Sequence, residues 1–270
     1  MIDHRTFKRV QSFIYNEVGI NLTEAKKALV SSRLRKRMIA LNIGEYKDYI
    51  HFVENDKSGK EIVQLFNAIS TNVTHFFREN DHFIKLTEIF REAHKNGAQK
   101  YRIWSAASSS GEEPFSIAMT IKEVLGNKNF DVKILGTDIS TKVLNMCLKG
   151  EYTEKNMEQV SSKIRMKYFT SYMDSNNVMR YQIDDSLKRM MLFKRLNLSK
   201  PPFPMKGNLD VIFCRNVMIY FDDIVRTRLI NEFYRLLKPG GYLFVGHSES
   251  LAGLKDHNFR LIKASVYKKD

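Results

Sequence analysis

Cysteine, tryptophan and proline are scarce in this 270-residue chain, at two, one and five copies. Two cysteines cannot make a disulfide framework. Cys147 and Cys214 stand among apolar neighbours, outside any Cys-x-x-Cys pair, so they read as buried free thiols and no metal site is expected. No apolar run approaches the ~20 residues of a membrane span. Residues 1–8 are too polar for a signal peptide, so a cytoplasmic location without membrane insertion is expected. Glycine is missing where a P-loop or a dinucleotide-binding turn would require it. Acidic residues are outnumbered 30 to 44 by lysine and arginine, a formal net charge of +14. A field of that sign raises encounter rates with anionic partners by roughly ten- to a thousand-fold at low salt. It suits nucleic acid, an anionic membrane surface or an acidic protein alike.

The hydrophobic share, 43%, suffices for a true core, in one large domain or in a main domain with a small companion. Over residues 1–70, Phe7, Val10, Phe13 and Ile14 recur at helical spacing. Residues 25–41 then form a strongly basic helix, opened by Asn21-Leu-Thr-Glu24 and ended before Gly44. Leu29, Leu34, Met38 and Leu41 are placed to face a core, leaving Lys26, Lys27, Arg33, Arg35, Lys36 and Arg37 for the outside. So dense a run of one sign weakens a helix through like-charge pairs; it is either a solvated face or a docking surface. Two shorter helices at 46–53 and 60–69 complete a helical N-terminal domain over residues 1–80, and a second domain is expected over 81–270.

Residues 101–121 carry the first ligand signal. Residues 102–106 read as a buried strand and 107–111 as a run of small side chains. Residues 114–121 read as a helix that Pro114 can open, since its missing N–H is not needed in the first turn. Strand, tight turn and helix is where an open α/β sheet binds a nucleotide-like ligand, with small residues admitting it to the backbone. Glu112 and Glu113 would repel a pyrophosphate but can hold a cationic or hydroxyl-bearing ligand, which favours an adenosyl sulfonium with an α-amino group over NAD. An ordinary strand-to-helix connection with a capping acid would leave the same pattern. A second strand, 131–138, ends in Asp138, about 25 residues past the turn, where doubly wound folds hold ribose hydroxyls.

Residues 151–190 break this alternation. Strand-like runs at 177–183 and 188–193, joined by Asp184-Asp-Ser186, predict a hairpin-bearing insertion over about 165–192. The sheet resumes at 209–220, whose carboxyl end carries Arg215, Asn216 and Tyr220. Asp222 or Asp223 caps a helix running to Leu237, and Lys238-Pro-Gly-Gly241 leads to the last strands.

Five segments, in order, are Ser70-Thr-Asn-Val-Thr-His-Phe-Phe-Arg-Glu79, Trp104-Ser-Ala-Ala-Ser-Ser-Ser-Gly-Glu-Glu-Pro-Phe-Ser116, Thr137-Asp-Ile-Ser140, Phe213-Cys-Arg-Asn-Val-Met-Ile-Tyr-Phe221 and Gly246-His-Ser-Glu-Ser250. They resemble those of chemotaxis receptor methyltransferases of the CheR type, and the likeness runs over nearly the whole chain. The resemblance implies an α/β fold: a class I S-adenosylmethionine-dependent methyltransferase domain, Rossmann-like, with a small β subdomain insertion, preceded by an all-α N-terminal domain. It implies methyl transfer from S-adenosylmethionine to glutamate side chains on the cytoplasmic helices of chemoreceptors, with S-adenosylhomocysteine as product.

Carried onto matching positions, the cofactor-binding residues implied are Asn72, Thr74 and Arg78 from between the domains, Glu113 in preference to Glu112, Asp138 on the ribose, and Asn197, Leu198, Arg215 and Asn216. Arg78 and Tyr220 would orient the substrate carboxylate as the catalytic pair. The basic helix would dock an acidic receptor surface, and a monomer is expected. Two departures stand out. The family often has Tyr where this chain has Phe115. Members that grip a C-terminal receptor pentapeptide carry a Gly-x-Gly turn in the β subdomain, which Asp174-Ser-Asn-Asn-Val178 does not offer, so receptor binding without that tether is expected. A nucleic-acid methyltransferase would also use the positive charge, but no aromatic-interleaved basic strand and no Asn-Pro-Pro-aromatic motif is present. A non-catalytic S-adenosylmethionine sensor or scaffold is the remaining alternative.

Overall fold

Apolar residues at helical spacing give way, past residue 80, to strands separated by helices. The structure, a computed structural model, describes residues 2–69, 73–126, 130–254 and 257–270. Helices α1 (His4–Val18), α2 (Lys27–Ala40), α3 (Tyr46–Asn55) and α4 (Lys60–Ile69) bury Phe7, Ile14, Leu34, Tyr49 and Leu65 against one another. Asp3 caps α1 by accepting from the Thr6 amide at 2.9 Å, and Gly19, in the left-handed region at φ 68°, ends it. A short 3-10 turn, Glu24–Lys26, precedes α2 in place of the side-chain cap expected at 21–24. The buried stripe of α2 is Val30, Leu34 and Met38. That four-residue spacing turns Leu29 away, so it is 47% exposed, which corrects the expectation that it faces the core.

The six cations of this region are not equivalent. Arg37 is bidentate to buried Glu61 (2.8 and 2.6 Å), and Glu61 also accepts from the Tyr49 hydroxyl at 2.9 Å. Arg33 donates to the Ile69 carbonyl at 2.7 Å, and the Lys26 ammonium lies 4.7 Å from the centre of the Tyr220 ring. Lys27 sits 5.9 Å over the Phe7 ring, while Arg35 and Lys36 are exposed. The expectation that all six face outward is therefore corrected for Lys26, Lys27, Arg33 and Arg37, which are half-buried and whose charged groups have partners within the fold.

The second unit begins with α5 (Asp81–Lys95), β1 (Lys100–Ala106), α6 (Glu112–Leu125), β2 (Asp131–Asp138) and α7 (Thr141–Lys149). An insertion comes next: β3 (Glu151–Thr153), α8 (Glu154–Met157), α9 (Ser162–Tyr168), β4 (Phe169–Met173), β5 (Met179–Ile183) and α10 (Asp185–Lys188). The chain closes with β6 (Met191–Arg195), β7 (Leu209–Cys214), α11 (Asp223–Leu236), β8 (Leu237–Val245), β9 (Phe259–Lys263) and β10 (Val266–Lys269). One sheet runs in the order β6-β2-β1-β7-β8-β10-β9. Its first five strands are parallel, and β10 is antiparallel to both its neighbours.

Both faces of this sheet are covered, which explains the near-continuous apolar strands. Along β1, Ile103 packs with α5 and α6 while Trp104 packs with α11; Val211 and Phe213 alternate in the same way with Ile212 and Cys214. Phe213 and Phe244 stack at 4.4 Å between ring centres, and the Trp104 indole N–H donates to Thr137 Oγ1 at 2.9 Å. This is the expected class I architecture, a doubly wound parallel sheet closed by an antiparallel hairpin. Strand order reverses between β1 and β7, so a crevice opens at their carboxyl ends.

The insertion corrects the sequence reading. Its small sheet has the order β3-β5-β4, so the hairpin arms are β4 and β5, turning at 174–178. There the Asp174 carboxylate accepts from the amides of Asn176 (2.9 Å) and Val178 (3.0 Å). The run 188–193 expected as the second arm is split, because Asp184 accepts from the Ser186 amide at 2.8 Å and starts α10. The strand after α10, β6, pairs with β2 in the main sheet.

Separating two neighbouring cations tests this description of α2. Arg37→Glu should lower stability by about 3 kcal/mol, since it leaves Glu61 buried beside a like charge, whereas Arg35→Glu should change it by less than about 0.5 kcal/mol. Thermal unfolding of the two variants checks the contrast, and equal transitions would contradict it.

Candidate active site

Polar groups gather where the strand order reverses. The turn after β1 carries Ala107 (φ 65°) and Ser109 (φ 47°), two non-glycine residues in left-handed conformation. Each stores strain of roughly 1 kcal/mol, a feature that clusters at ligand sites. Gly111 (φ 100°) completes the turn; a Cβ there would come 2.9 Å from the Tyr152 hydroxyl, which donates to the Ser110 carbonyl at 3.1 Å. Glu112 points into the insertion, accepting from Ser110 (2.6 Å) and Asn156 (3.0 Å), and burial pushes its carboxyl up. Glu113 points into the crevice. At the end of β2, Asp138 accepts from the amides of Ser109 (3.0 Å) and Ser140 (2.9 Å), and burial raises it above the usual carboxylate range against those bonds.

After β7, the buried Arg215 is held between two carboxylates. It donates to Glu113 at 3.1 Å, to Glu79 at 3.0 and 3.2 Å, and to the Arg78 carbonyl. Burial pushes the Glu113 carboxyl up, with the Arg215 guanidinium opposing. At Glu79 burial acts in the same direction but is outweighed by Arg215, the His247 amide and Asn216, which hold it low. With both acids ionised, the triad itself holds one cation between two anions, and Lys26, Arg33 and Arg78 line the same crevice.

His82 lies fully buried behind this triad, 3.4 Å from Glu79, and burial together with the Arg215 charge lowers it to about 4. Glu79, His82 and His247 bring possible metal-ligand atoms within 4.8 Å of one another. Both Glu79 oxygens are already taken, one by Arg215 and the other by Asn216 and the His247 amide, so the group behaves as an ion-pair network.

Of these, Ser109, Glu113, Asp138, Arg215 and Asn216 line a cavity of about 250 Å³. Thr74, Arg78, Glu113, Asp138, Asn197, Leu198, Arg215, Asn216 and Tyr220 from the expected site all line it; Asn72 lies outside the described residues. Lys26 and Arg33, expected on a docking face, line it as well, beside Leu29 and Val30. The helical unit therefore forms one wall. It is tied down by the Asn197 side chain on the Glu17 carbonyl (2.7 Å), the Asn21 amide on the Tyr220 carbonyl (2.8 Å) and the Tyr15 hydroxyl on Asp222 (2.6 Å). Sequence reasoning missed Glu79, Ser108 and Ser109. Glu79 closes a quoted segment without having been singled out, and the two serines were read for size and not for their hydroxyls, which are buried without a hydrogen-bond partner among the described residues.

A family model described as "CheR methyltransferase, SAM binding domain" matches residues 72–268, and "CheR methyltransferase, all-alpha domain" matches residues 5–70. The chain belongs to the CheR methyltransferase family. A chemotaxis protein methyltransferase of Borreliella burgdorferi is 41% identical over 97% of this chain and 93% of its own length. Chemotaxis protein methyltransferase 2 of Pseudomonas aeruginosa is 38% identical over 97% and 91%. The Escherichia coli chemotaxis protein methyltransferase is 35% identical over 97% and 89%. The cofactor of this CheR chain is S-adenosylmethionine, and its activity is methyl transfer in chemotaxis. No described helix is long and apolar enough to cross a membrane.

The cavity fits that cofactor. Asp138 keeps lone pairs for ribose hydroxyls, two serine hydroxyls wait unpartnered in the adjoining turn, and the carboxylates paired with Arg215 suit the ammonium and sulfonium charges.

One pH dependence arises from His82. It titrates near 6.5 when unfolded and at about 4 when folded, so the unfolded chain binds more protons between those values. Stability is then lost as pH falls through that window, by of order 3 kcal/mol from this residue. Urea unfolding of His82→Phe should give a flatter dependence from pH 6.5 to pH 4 than the parent; parallel curves would remove His82 as the source.

Proposed function

We propose that this protein methylates glutamate side-chain carboxylates on the cytoplasmic helices of chemoreceptors, forming methyl esters, and that it acts as a monomer. The observation that carries the reading is a cavity in which Glu113 and Arg215, the latter also paired with Glu79, lie beside three further side chains able to meet a carboxylate, Arg78, Lys26 and Tyr220. Bound S-adenosylmethionine supplies an electrophilic methyl carbon on sulfur. Asp138 holds the ribose, Glu113 and Arg215 the amino-acid end, and Asn197, Leu198, Thr74, Asn72 and Asn216 complete the seat.

Glutamate has a reference pKa of about 4.3, so the incoming side chain is already ionised at neutral pH and needs no general base. One carboxylate oxygen attacks the methyl carbon, and the bonding pair departs with sulfur. Arg78 and Tyr220 orient that carboxylate. Arg78 is itself steadied on the Val73 carbonyl at 2.8 Å. The wall formed by α2 excludes water, and holding the reacting atoms in line is worth roughly 7–11 kcal/mol. Of the six cations expected to dock, Arg35 and Lys36 are the exposed ones left to meet an acidic receptor helix. The hairpin turn at 174–178 has no glycine pair and its carboxylate is filled by its own amides, which supports docking without a pentapeptide tether.

Incubation with methyl-labelled cofactor and receptor cytoplasmic fragments should place label on the fragments that mild base releases as methanol. Base-stable label on nucleic acid, or no transfer at all, would overturn the reading. Asp138→Asn should weaken cofactor binding by roughly ten- to a hundred-fold, the worth of hydrogen bonds to a charged group. Tyr220→Phe and Arg78→Ala should lower turnover, and wild-type turnover in both would refute their roles.

A further inference from the structure

The segment Gly246-His-Ser-Glu-Ser250 contributes little to the cavity wall, yet one of its side chains reaches the loop that carries Tyr220. Glu249 is 5% exposed. One of its oxygens accepts from the amides of Gly246 (2.6 Å) and Asn216 (2.7 Å), and the other from the amide of Ile219 (3.3 Å). Its own amide donates to the Gly246 carbonyl at 2.8 Å, which folds the segment back on itself. Among the described residues no lysine, arginine or histidine pairs with it, so this carboxylate is satisfied by backbone alone, from two separate strand ends.

The fit is close on every side. A Cβ on Gly246 would come 2.6 Å from the Asn216 side chain, 2.7 Å from the Glu249 carboxylate and 2.9 Å from the Asn216 amide, so only glycine passes. Asn216 is left-handed, at φ 59°, and starts the loop whose 3-10 turn, Met218–Tyr220, delivers Tyr220 to the cavity. The Tyr220 amide donates back to Val217 at 3.1 Å, and its carbonyl takes the Asn21 amide from the helical unit. Between those fixed ends, the Ile219 amide bond is what Glu249 adds.

We propose that Glu249 is a positioning residue for methyl transfer: by gripping the Asn216 and Ile219 amides it fixes where the Tyr220 ring stands relative to the seated cofactor. This rests on the role given to Tyr220 above. Glutamine at 249 can keep the Gly246 and Asn216 bonds with its carbonyl, but it turns an amide N–H₂ toward the Ile219 N–H and so releases that one link.

Glu249→Gln should therefore bind S-adenosylhomocysteine within about threefold of the parent, because the Asn216 bond survives, and lose about ten- to a hundred-fold in kcat, the scale of small misplacements at a reacting centre. The KM for receptor fragment should stay nearly unchanged. The Glu249→Gln/Tyr220→Phe pair should lose no more than the worse single variant. Hydrogen exchange at the Ile219 amide should rise at least tenfold, an outcome that reads the grip without reference to substrate. Glu249→Asp, which keeps the charge but falls a methylene short, should show the same kcat loss if the glutamine variant fails to fold. Parent-like kcat, additive losses in the pair or unchanged exchange would each overturn the proposal. A parent enzyme that yields no base-labile label, with exchange raised in Glu249→Gln, would sink the receptor reading while leaving the grip in place.

Discussion

Arg215, wedged between Glu79 and Glu113, is the interaction on which the site depends. A buried guanidinium is tolerated only with its donors satisfied, and here they reach two carboxylates and a backbone carbonyl. Because each acid comes from a different part of the chain, the segment before α5, the start of α6 and the end of β7 are pulled to one point. The stacked aromatic rings beneath, Phe83 against Phe213 and Phe213 against Phe244, give that point an apolar floor. Low polarity below strengthens the charge interactions above, so core packing and electrostatics act on the same atoms.

The helical unit is a structural part of the site rather than an appendage. It closes the cavity with Leu29, Val30 and Lys26, and polar bonds from Tyr15, Glu17 and Asn21 hold it there. Its cations divide accordingly: those near the cavity serve the pocket, one is spent on Glu61, and Arg35 and Lys36 face solvent.

The parts of the fold legible in the sequence were those set by local pattern. Apolar strands at 102–106, 131–138 and 209–214 announced a sheet buried on both faces, and the small-residue turn followed by Asp138 marked the edge where the cavity lies. What stayed hidden depended on partners far away in the chain. Charge counting along α2 could not see that Glu61 claims Arg37, nor that Tyr220, nearly two hundred positions on, lies under Lys26. The insertion was misread for a different reason: Asp174 and Asp184 are both turn formers, and only pairing decides that the first closes a hairpin while the second begins a helix. Glu113 lines the cavity while Glu112 turns to Ser110 and Asn156, a difference of direction between adjacent residues at a helix start that the sequence does not display.

A chain of formal charge +14 holds, beside its cavity, an ion triad in which two carboxylates share one guanidinium. At long range it gathers acids. An acid at contact range meets, on the proposed reading, the carboxylates of Glu79 and Glu113, which the sulfonium and ammonium groups of a seated donor would offset. On the proposed reading the donor must enter before the acceptor. Once the sulfonium has become a neutral thioether, one of those offsets is gone, so on that reading the same ion triad that seats the donor also favours departure of its spent form.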